Sequence, residues 1–195
     1  LAMTEKYKVI ANLPYQITSH VIRTFLELEN PPQVMVLMAQ KEVAERICAK
    51  AGDMSLLAVA AQYYADAEIV ATVPRNLFWP APAVDSAVIK LTTHVIPPTK
   101  YGGIQSDGSP DSVGIRDDNK ATVDFFFALV KAGFAQKRKL LIKNLLPIVG
   151  KKNKQVLTDI FARLGYNTNT RAQELSVDDW KALAKELNLL KCISP

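Results

Sequence analysis

The chain has 195 residues, of which 49% are hydrophobic and 22% charged, and its formal net charge is +5. This is the composition of a soluble globular protein of one domain, with room for a smaller appendage. No unbroken apolar run is long enough to span a bilayer and no basic-then-apolar leader is visible, although the first residue is Leu1 rather than Met.

In chain order, Lys8–Leu13 (KVIANL) reads as a short buried strand. Thr18 or Ser19 can cap a helix that carries Ile17, Val21, Ile22, Phe25 and Leu26 on one face, and Pro31-Pro32 is expected to stop it. Val34–Met38 (VMVLM) is a continuous apolar run, suited to a central strand covered on both faces. A helix over Lys41–Lys50 ends at Gly52, and a very apolar helix follows over Ser55–Ala65. Glu68–Val73 and Ser86–Leu91 read as two more strands, the second with apolar residues alternating at Ala87, Ile89 and Leu91. No helix separates these two strands, which predicts that one of them runs antiparallel.

Residues 97–119 change character. They hold Pro97-Pro98, Gly102-Gly103, Gly108 and Gly114 with little apolar content, and read as a linker or insertion. The remainder is helical. Val123, Phe125–Phe127, Leu129, Val130 and Phe134 line one helix, and Leu140–Ile142, Leu145 and Leu146 line a second that Pro147 and Gly150 terminate. A third carries Val156, Leu157, Ile160, Phe161 and Leu164, with Gly165 as its C-cap. Ser176 and Asp179 have capping-box spacing ahead of Val177, Trp180, Leu183, Ala184 and Leu187. The expected organisation is an α/β part over 1–96, a flexible segment over 97–119 and a small helical domain over 120–195.

Charge follows the same division. Residues 1–93 hold eight Lys/Arg against nine Asp/Glu, and residues 94–195 hold sixteen against ten. Lys131 to Lys154 includes eight basic residues and no acidic one, a block that suits a polyanion or a solvated helix face. Cys48, Cys192, His20 and His94 are too scattered for a zinc site, and the cysteines read as reduced thiols.

Two stretches carry chemistry. In an α/β sheet, ligands sit beyond the carboxyl ends of the strands, and Asn12-Leu13-Pro14-Tyr15 stands at such an end. The Asn amide offers an acceptor, Pro14 stiffens the bend so that a main-chain carbonyl can face the cleft, and Tyr15 offers a flat ring. Such a set suits a planar ligand with an exocyclic amine, such as adenine. It can also be an Asn-capped turn beside a half-buried Tyr. In Phe78–Ser86 (FWPAPAVDS), two prolines at alternate positions hold Phe78 and Trp79 on a rigid loop. Either ring can clamp a flipped base or pack into the core.

Asn-Leu-Pro-Tyr after a strand, then Phe-x-Pro-x-Pro-x-Val-x-Ser before a later one, resembles the KsgA family of rRNA adenine N6-dimethyltransferases. Gln40–Arg46 (QKEVAER), Asp85–Val88 (DSAV), Phe134 with Gln136–Lys139 (QKRK), and Arg171–Ser176 (RAQELS) are similar to it as well, the last departing from the family's usual Arg-Ala-Glu. The resemblance covers nearly the whole chain outside 97–119. It implies S-adenosylmethionine as co-substrate and methylation of two adjacent adenines in the 3′-terminal helix of small-subunit (16S) rRNA. A role in ribosome biogenesis and a cytoplasmic location come with it. By carry-over, Asn12 and the Leu13/Pro14 backbone hold the target amine, and Asn12 and Pro14 also border the cofactor. Tyr15 and Phe78 sandwich the base, while Lys137, Arg138, Lys139 and Lys143, expected on a helix, contact rRNA. No metal, acid or covalent nucleophile is called for.

The chain also departs from that family. None of its eight glycines forms a Gly-x-Gly turn after an early strand. The implied fold is the C-terminal half of a Rossmann-like class I methyltransferase sheet followed by the helical domain. Two further expectations follow: these residues alone bind the cofactor poorly and do not catalyse, and an exposed sheet edge invites self-association. Rival readings are an Erm-type methyltransferase of large-subunit rRNA and a non-catalytic rRNA-binding assembly factor. A DNA adenine methyltransferase shares Asn-x-Pro-Tyr but explains neither the Phe78–Ser86 stretch nor the helical tail.

Overall fold

The computed structural model describes residues 6–94 and 115–191, so Cys192 and most of the expected linker, Gly102-Gly103 included, fall outside the described residues. The chain divides into two units, Leu1–Ala49 with Leu57–Pro98, and Lys50–Leu56 with Thr99–Pro195. No helix among the described residues is long and apolar enough to cross a membrane.

The first unit is a four-stranded sheet. Its strands are β1 (Lys8–Asn12), β2 (Val34–Gln40), β3 (Ala65–Val73) and β4 (Ser86–Thr93), in the spatial order β1-β2-β4-β3. β1 and β2 are parallel, and β4 runs antiparallel to both β2 and β3, as the missing helix between β3 and β4 requires. Helices α1 (Thr18–Leu26), α2 (Lys41–Ile47) and α3 (Leu56–Tyr64) supply Ile22, Leu26, Ala44, Ile47 and Ala61 to a core shared with Met35, Leu37, Ile89 and Leu91.

That core lies against one face of the sheet. β2 alternates between buried Met35, Leu37 and Ala39 and half-buried Val34, Val36 and Met38, so it is fully covered on one face rather than on both. The continuous apolar run conceals this alternation because both faces carry apolar side chains. On β1, Val9 and Ala11 join the core, while Ile10 is 82% exposed.

Several boundaries differ from expectation: α2 stops at Ile47 rather than Lys50, and β3 begins at Ala65 rather than Glu68. Neither Thr18 nor Ser19 caps α1. The chain enters through a 3-10 turn, Tyr15–Ile17, and the buried Thr18 hydroxyl donates back to the Pro14 carbonyl at 3.4 Å. At the other end α1 stops at Leu26, well before Pro31-Pro32. There the Tyr7 hydroxyl donates to the Asn30 carbonyl and the Gln33 amide to the Tyr7 carbonyl, turning the chain into β2.

The second unit holds α4 (Ile115–Gly133), α5 (Leu141–Val149), α6 (Lys154–Arg163) and α7 (Val177–Lys191). α4 begins inside the segment expected to be a linker. Residues 115–119 contain neither Gly nor Pro, and Asp117 and Asp118 favour a helix N-terminus. Phe126, Leu129, Val130, Leu141, Leu145, Leu157, Phe161, Trp180 and Leu183 form the buried interior. The short stretch Lys50–Leu56 belongs to this unit, its Gly52 and Met54 amides both donating to the Gln173 carbonyl at 2.9 and 3.1 Å.

Pro147 does not end α5 as expected: it lies inside the helix, which runs on to Val149, and Gly150 at φ +89° closes it. Local chemistry fixes the other helix ends. After α6, Gly165 takes φ +77°, with its amide on the Ala162 carbonyl and the Tyr166 amide on the Phe161 carbonyl, a Schellman closure. At α7 the Asp179 amide donates to Ser176 Oγ at 3.1 Å, and the Ser176 amide donates to Asp179 Oδ2 at 2.9 Å. The Tyr166 hydroxyl donates to Asp179 Oδ1 at 3.0 Å. Partial burial opposes ionisation of Asp179, but the hydrogen bonds from Ser176 and Tyr166 outweigh it and hold the carboxyl below its usual value. A carboxylate with a lowered folded-state pKa stabilises fully above its unfolded value, near 3.8, and that contribution disappears as pH falls through the lowered one. Asp179→Asn is therefore expected to flatten the acid limb of the stability curve below about pH 4. Urea titrations of both proteins between neutral and strongly acid pH check this, and parallel curves would refute it.

Candidate functional site

The site begins where β1 runs out. Asn12 is the last residue of β1, opposite Met38 on β2, and is exposed at the strand's carboxyl end. Pro14 follows at φ −55°, ψ 131° and leads into the 3-10 turn. The Pro14 carbonyl accepts from the Ile17 amide at 3.1 Å and from the Thr18 hydroxyl. Of the two main-chain carbonyls expected to hold an amine, Pro14's is thus committed to the turn. Leu13's takes none of the turn's hydrogen bonds, so the acceptor pair narrows to the Asn12 amide oxygen and the Leu13 carbonyl.

Tyr15 is half-buried, and its hydroxyl shares a 2.7 Å hydrogen bond with Ser86 Oγ. Ser86 opens β4 and is wholly buried. It is also the last residue of the Phe78–Ser86 stretch, so this bond joins the two motifs across 71 positions of sequence. The loop between β3 and β4 is pinned further. The Arg75 amide donates to Asp85 Oδ1 at 3.0 Å, the Arg75 guanidinium to the Ala83 carbonyl at 3.1 Å, and the Lys41 amide to the Asp85 carbonyl at 3.0 Å. On this loop Phe78 is half-buried and Trp79 is 97% exposed. Among the described residues, neither Tyr15 nor Phe78 packs against another aromatic ring, and both rings are half-buried rather than enclosed.

The Tyr15–Ser86 bond is open to test. Tyr15→Phe removes one partner and strands a buried hydroxyl, which is expected to cost about 1–3 kcal/mol. Ser86→Ala costs less, and the double variant is expected to recover part of the loss because no polar atom is left unpaired. Denaturant unfolding of the four proteins measures the coupling. Strictly additive losses would mean that the bond does not act as a pair.

The basic residues fall elsewhere than on one helix. Lys137, Arg138 and Lys139 occupy the tight turn between α4 and α5, and Lys143 sits in the first turn of α5; all four are exposed. The side chain of Asn144 holds this turn: its amide donates to the Gly133 carbonyl at 2.6 Å and to the Gln136 carbonyl at 3.1 Å. Among the described residues none of the four pairs with a carboxylate, whereas Arg163 does, with Glu186 at 2.8 Å. Sequence reasoning missed the roles of Arg75, Ser86 and Asn144. Asn144 had a signal: it is an amide inside an otherwise apolar helical stretch, where a partner has to be found.

A mixed sheet with an Asn-Leu-Pro-Tyr strand end, tied to a proline-stiffened aromatic loop, fits the Rossmann-like methyltransferase fold. Solved structures share the fold. A dimethyladenosine transferase from Plasmodium falciparum aligns with a TM-score of 0.71 at 24% identity, over 97% of this chain and 69% of that one. The 23S rRNA methyltransferase ErmE aligns with a TM-score of 0.67 at 21% identity, over 95% and 66%. The ribosomal RNA adenine dimethylase family matches residues 1–102, and the chain belongs to that family. A ribosomal RNA small subunit methyltransferase A from Dehalococcoides mccartyi is 39% identical over 95% of the chain, and one from Geobacillus thermodenitrificans is 39% identical over 92%. The chain spans 57% and 56% of their respective lengths.

Proposed function

We propose that this chain is the adenine-seating and RNA-contacting part of an S-adenosylmethionine-dependent rRNA dimethyltransferase. Its substrate is N6 of two adjacent adenines in small-subunit rRNA, and its setting is cytoplasmic ribosome biogenesis. The observation that carries the reading is the Tyr15–Ser86 bond, which makes one rigid unit of the amide-bearing strand end and the aromatic loop.

Asn12 Oδ1 and the Leu13 carbonyl accept the two amine hydrogens of the adenine. Holding both hydrogens out of the ring plane draws the nitrogen towards a tetrahedral shape and frees its lone pair. Tyr15 and Phe78 hold the ring between them, so the barrier falls through orientation rather than through acid or base, and the proton that N6 sheds on gaining each methyl group passes to water. S-adenosylmethionine supplies a methyl group on a sulfonium, which needs no further activation. The residues here fit the methyl-accepting side of that chemistry. The chain contains no Gly-x-Gly turn, so they do not fit the nucleoside side of the cofactor. The exposed Lys137–Lys139 turn and Lys143 meet RNA phosphates, which makes binding fall steeply with salt.

Two measurements test this. Calorimetry on the 195-residue chain is expected to show no S-adenosylmethionine binding, and micromolar binding would refute that part. Labelled methyl transfer to isolated ribosomal subunits, by a chain extended to the length of the relatives, is expected on the small subunit. Labelling of the large subunit alone would favour the Erm-type reading. RNA binding without any transfer would favour an assembly factor. The half-open sheet face and the edge strand β1 also leave room for self-association, which sedimentation at rising concentration detects.

A further inference from the structure

Trp79 is 97% exposed, the most exposed large hydrophobic side chain among the described residues, and Leu77 beside it is 71% exposed. A lone surface apolar residue needs no explanation, but a tryptophan fully in water on a braced loop is a different matter. The bracing is specific. Pro80 and Pro82 fix two backbone angles, and Arg75 holds the far limb of the loop through Asp85 and Ala83. The entropy that a mobile loop would lose on binding is therefore already spent. Extended backbone at Phe78, φ −110° and ψ 148°, favours opposite directions for the side chains of Phe78 and Trp79. The exposures agree: Phe78 is half-buried and Trp79 is out in solvent.

We propose that Trp79 is a stacking platform for an unpaired RNA base next to the target adenine, a contact separate from the Tyr15–Phe78 seat. This rests on the reading of the protein as an RNA adenine dimethyltransferase. If Phe78 faces the target base, Trp79 faces its neighbour along the strand. Arg75, four positions earlier at the foot of the same loop, adds charge, with guanidinium donors left over after its one bond to Ala83 and no carboxylate partner among the described residues. An exposed indole with a neighbouring cation is the pairing that single-stranded nucleic acid uses, a ring for the base and a charge for the phosphate.

The protein carries its own probe. Its other tryptophan, Trp180, is wholly buried, so a change in solvent-exposed emission reports Trp79. Titration with a short single-stranded RNA containing two adjacent adenines is expected to quench that emission, and the same RNA annealed to its complement is expected not to. Trp79→Ala is expected to weaken RNA binding about tenfold, and Trp79→Phe, which keeps a ring, to stay within about threefold. A wild-type chain that binds this RNA with unchanged emission, and as tightly as Trp79→Ala, overturns the platform and leaves the broader reading standing. A wild-type chain that binds no RNA overturns both. A dimer formed without RNA and dissolved by Trp79→Ala would assign the ring to a second copy of the chain and also overturn the proposal.

Discussion

Asn12→Ala is expected to slow methyl transfer about a hundredfold or more, the effect of losing one oriented polar group at a reacting centre, while the melting temperature stays put. The two halves of that expectation have separate physical origins. Asn12 is exposed at the end of β1, so its side chain supports no core and its loss leaves no cavity. On the proposed reading it supplies one of only two acceptors, because the Pro14 carbonyl is already bound by the Ile17 amide. Asn12→Asp keeps an acceptor oxygen and is expected to retain more activity than Ala. Single-turnover labelling of small-subunit rRNA by the chain extended to the length of its relatives, with thermal denaturation of the same samples, checks both halves. Wild-type rates for the Ala variant would remove Asn12 from the chemistry.

The second large effect concerns a single methyl group. Ala in place of Gly within a helix ordinarily stabilises by about 1 kcal/mol. At Gly133, the last residue of α4, the opposite sign is expected. A Cβ there would run into the Trp180 ring at Cη2 and lie 3.0 Å from Leu141 Cδ1. Trp180 has nowhere to go: it is wholly buried, and the Phe134 ring lies 5.7 Å from it, centroid to centroid. Its Nε1 already lacks a hydrogen-bond partner among the described residues, so the ring is held by packing. Overpacking of this kind costs about 1–3 kcal/mol or more. In a helical unit of this size that lowers its melting temperature by about 5–20 °C. Near-ultraviolet dichroism and Trp180 emission would follow the transition. A melting temperature equal to or above wild type would show that the ring can shift.

Much of the fold was legible because hydrophobic pattern and punctuation agree. β2 and β4 stand out as apolar runs, the antiparallel pairing follows from the missing crossover helix, and Gly165 and the Ser176–Asp179 pair mark their helix ends. The errors arose where distant groups decide. α1 ends at Leu26 because Tyr7 captures the following chain, a partner 23 residues away that no local window contains. Lys137–Lys139 looked helical by proximity to apolar periodicity, yet Asn144 draws the carbonyls of Gly133 and Gln136 into a turn. In the site, the residue types at Asn12, Tyr15 and Phe78 could be read directly. The bond between Tyr15 and Ser86 could not, because sequence shows that both groups are polar and says nothing of their meeting.

β1 has a neighbour on one side only among the described residues. Its backbone amides therefore divide into two sets, those turned towards β2 and those turned away. In deuterated buffer the outward set is expected to exchange far faster than the inward set, giving a two-residue rhythm along Lys8–Asn12. Any chain that later pairs with that edge would erase the rhythm by slowing the outward amides alone. Five residues of one strand would thus act as a built-in gauge of assembly, read by mass or by resonance without a label.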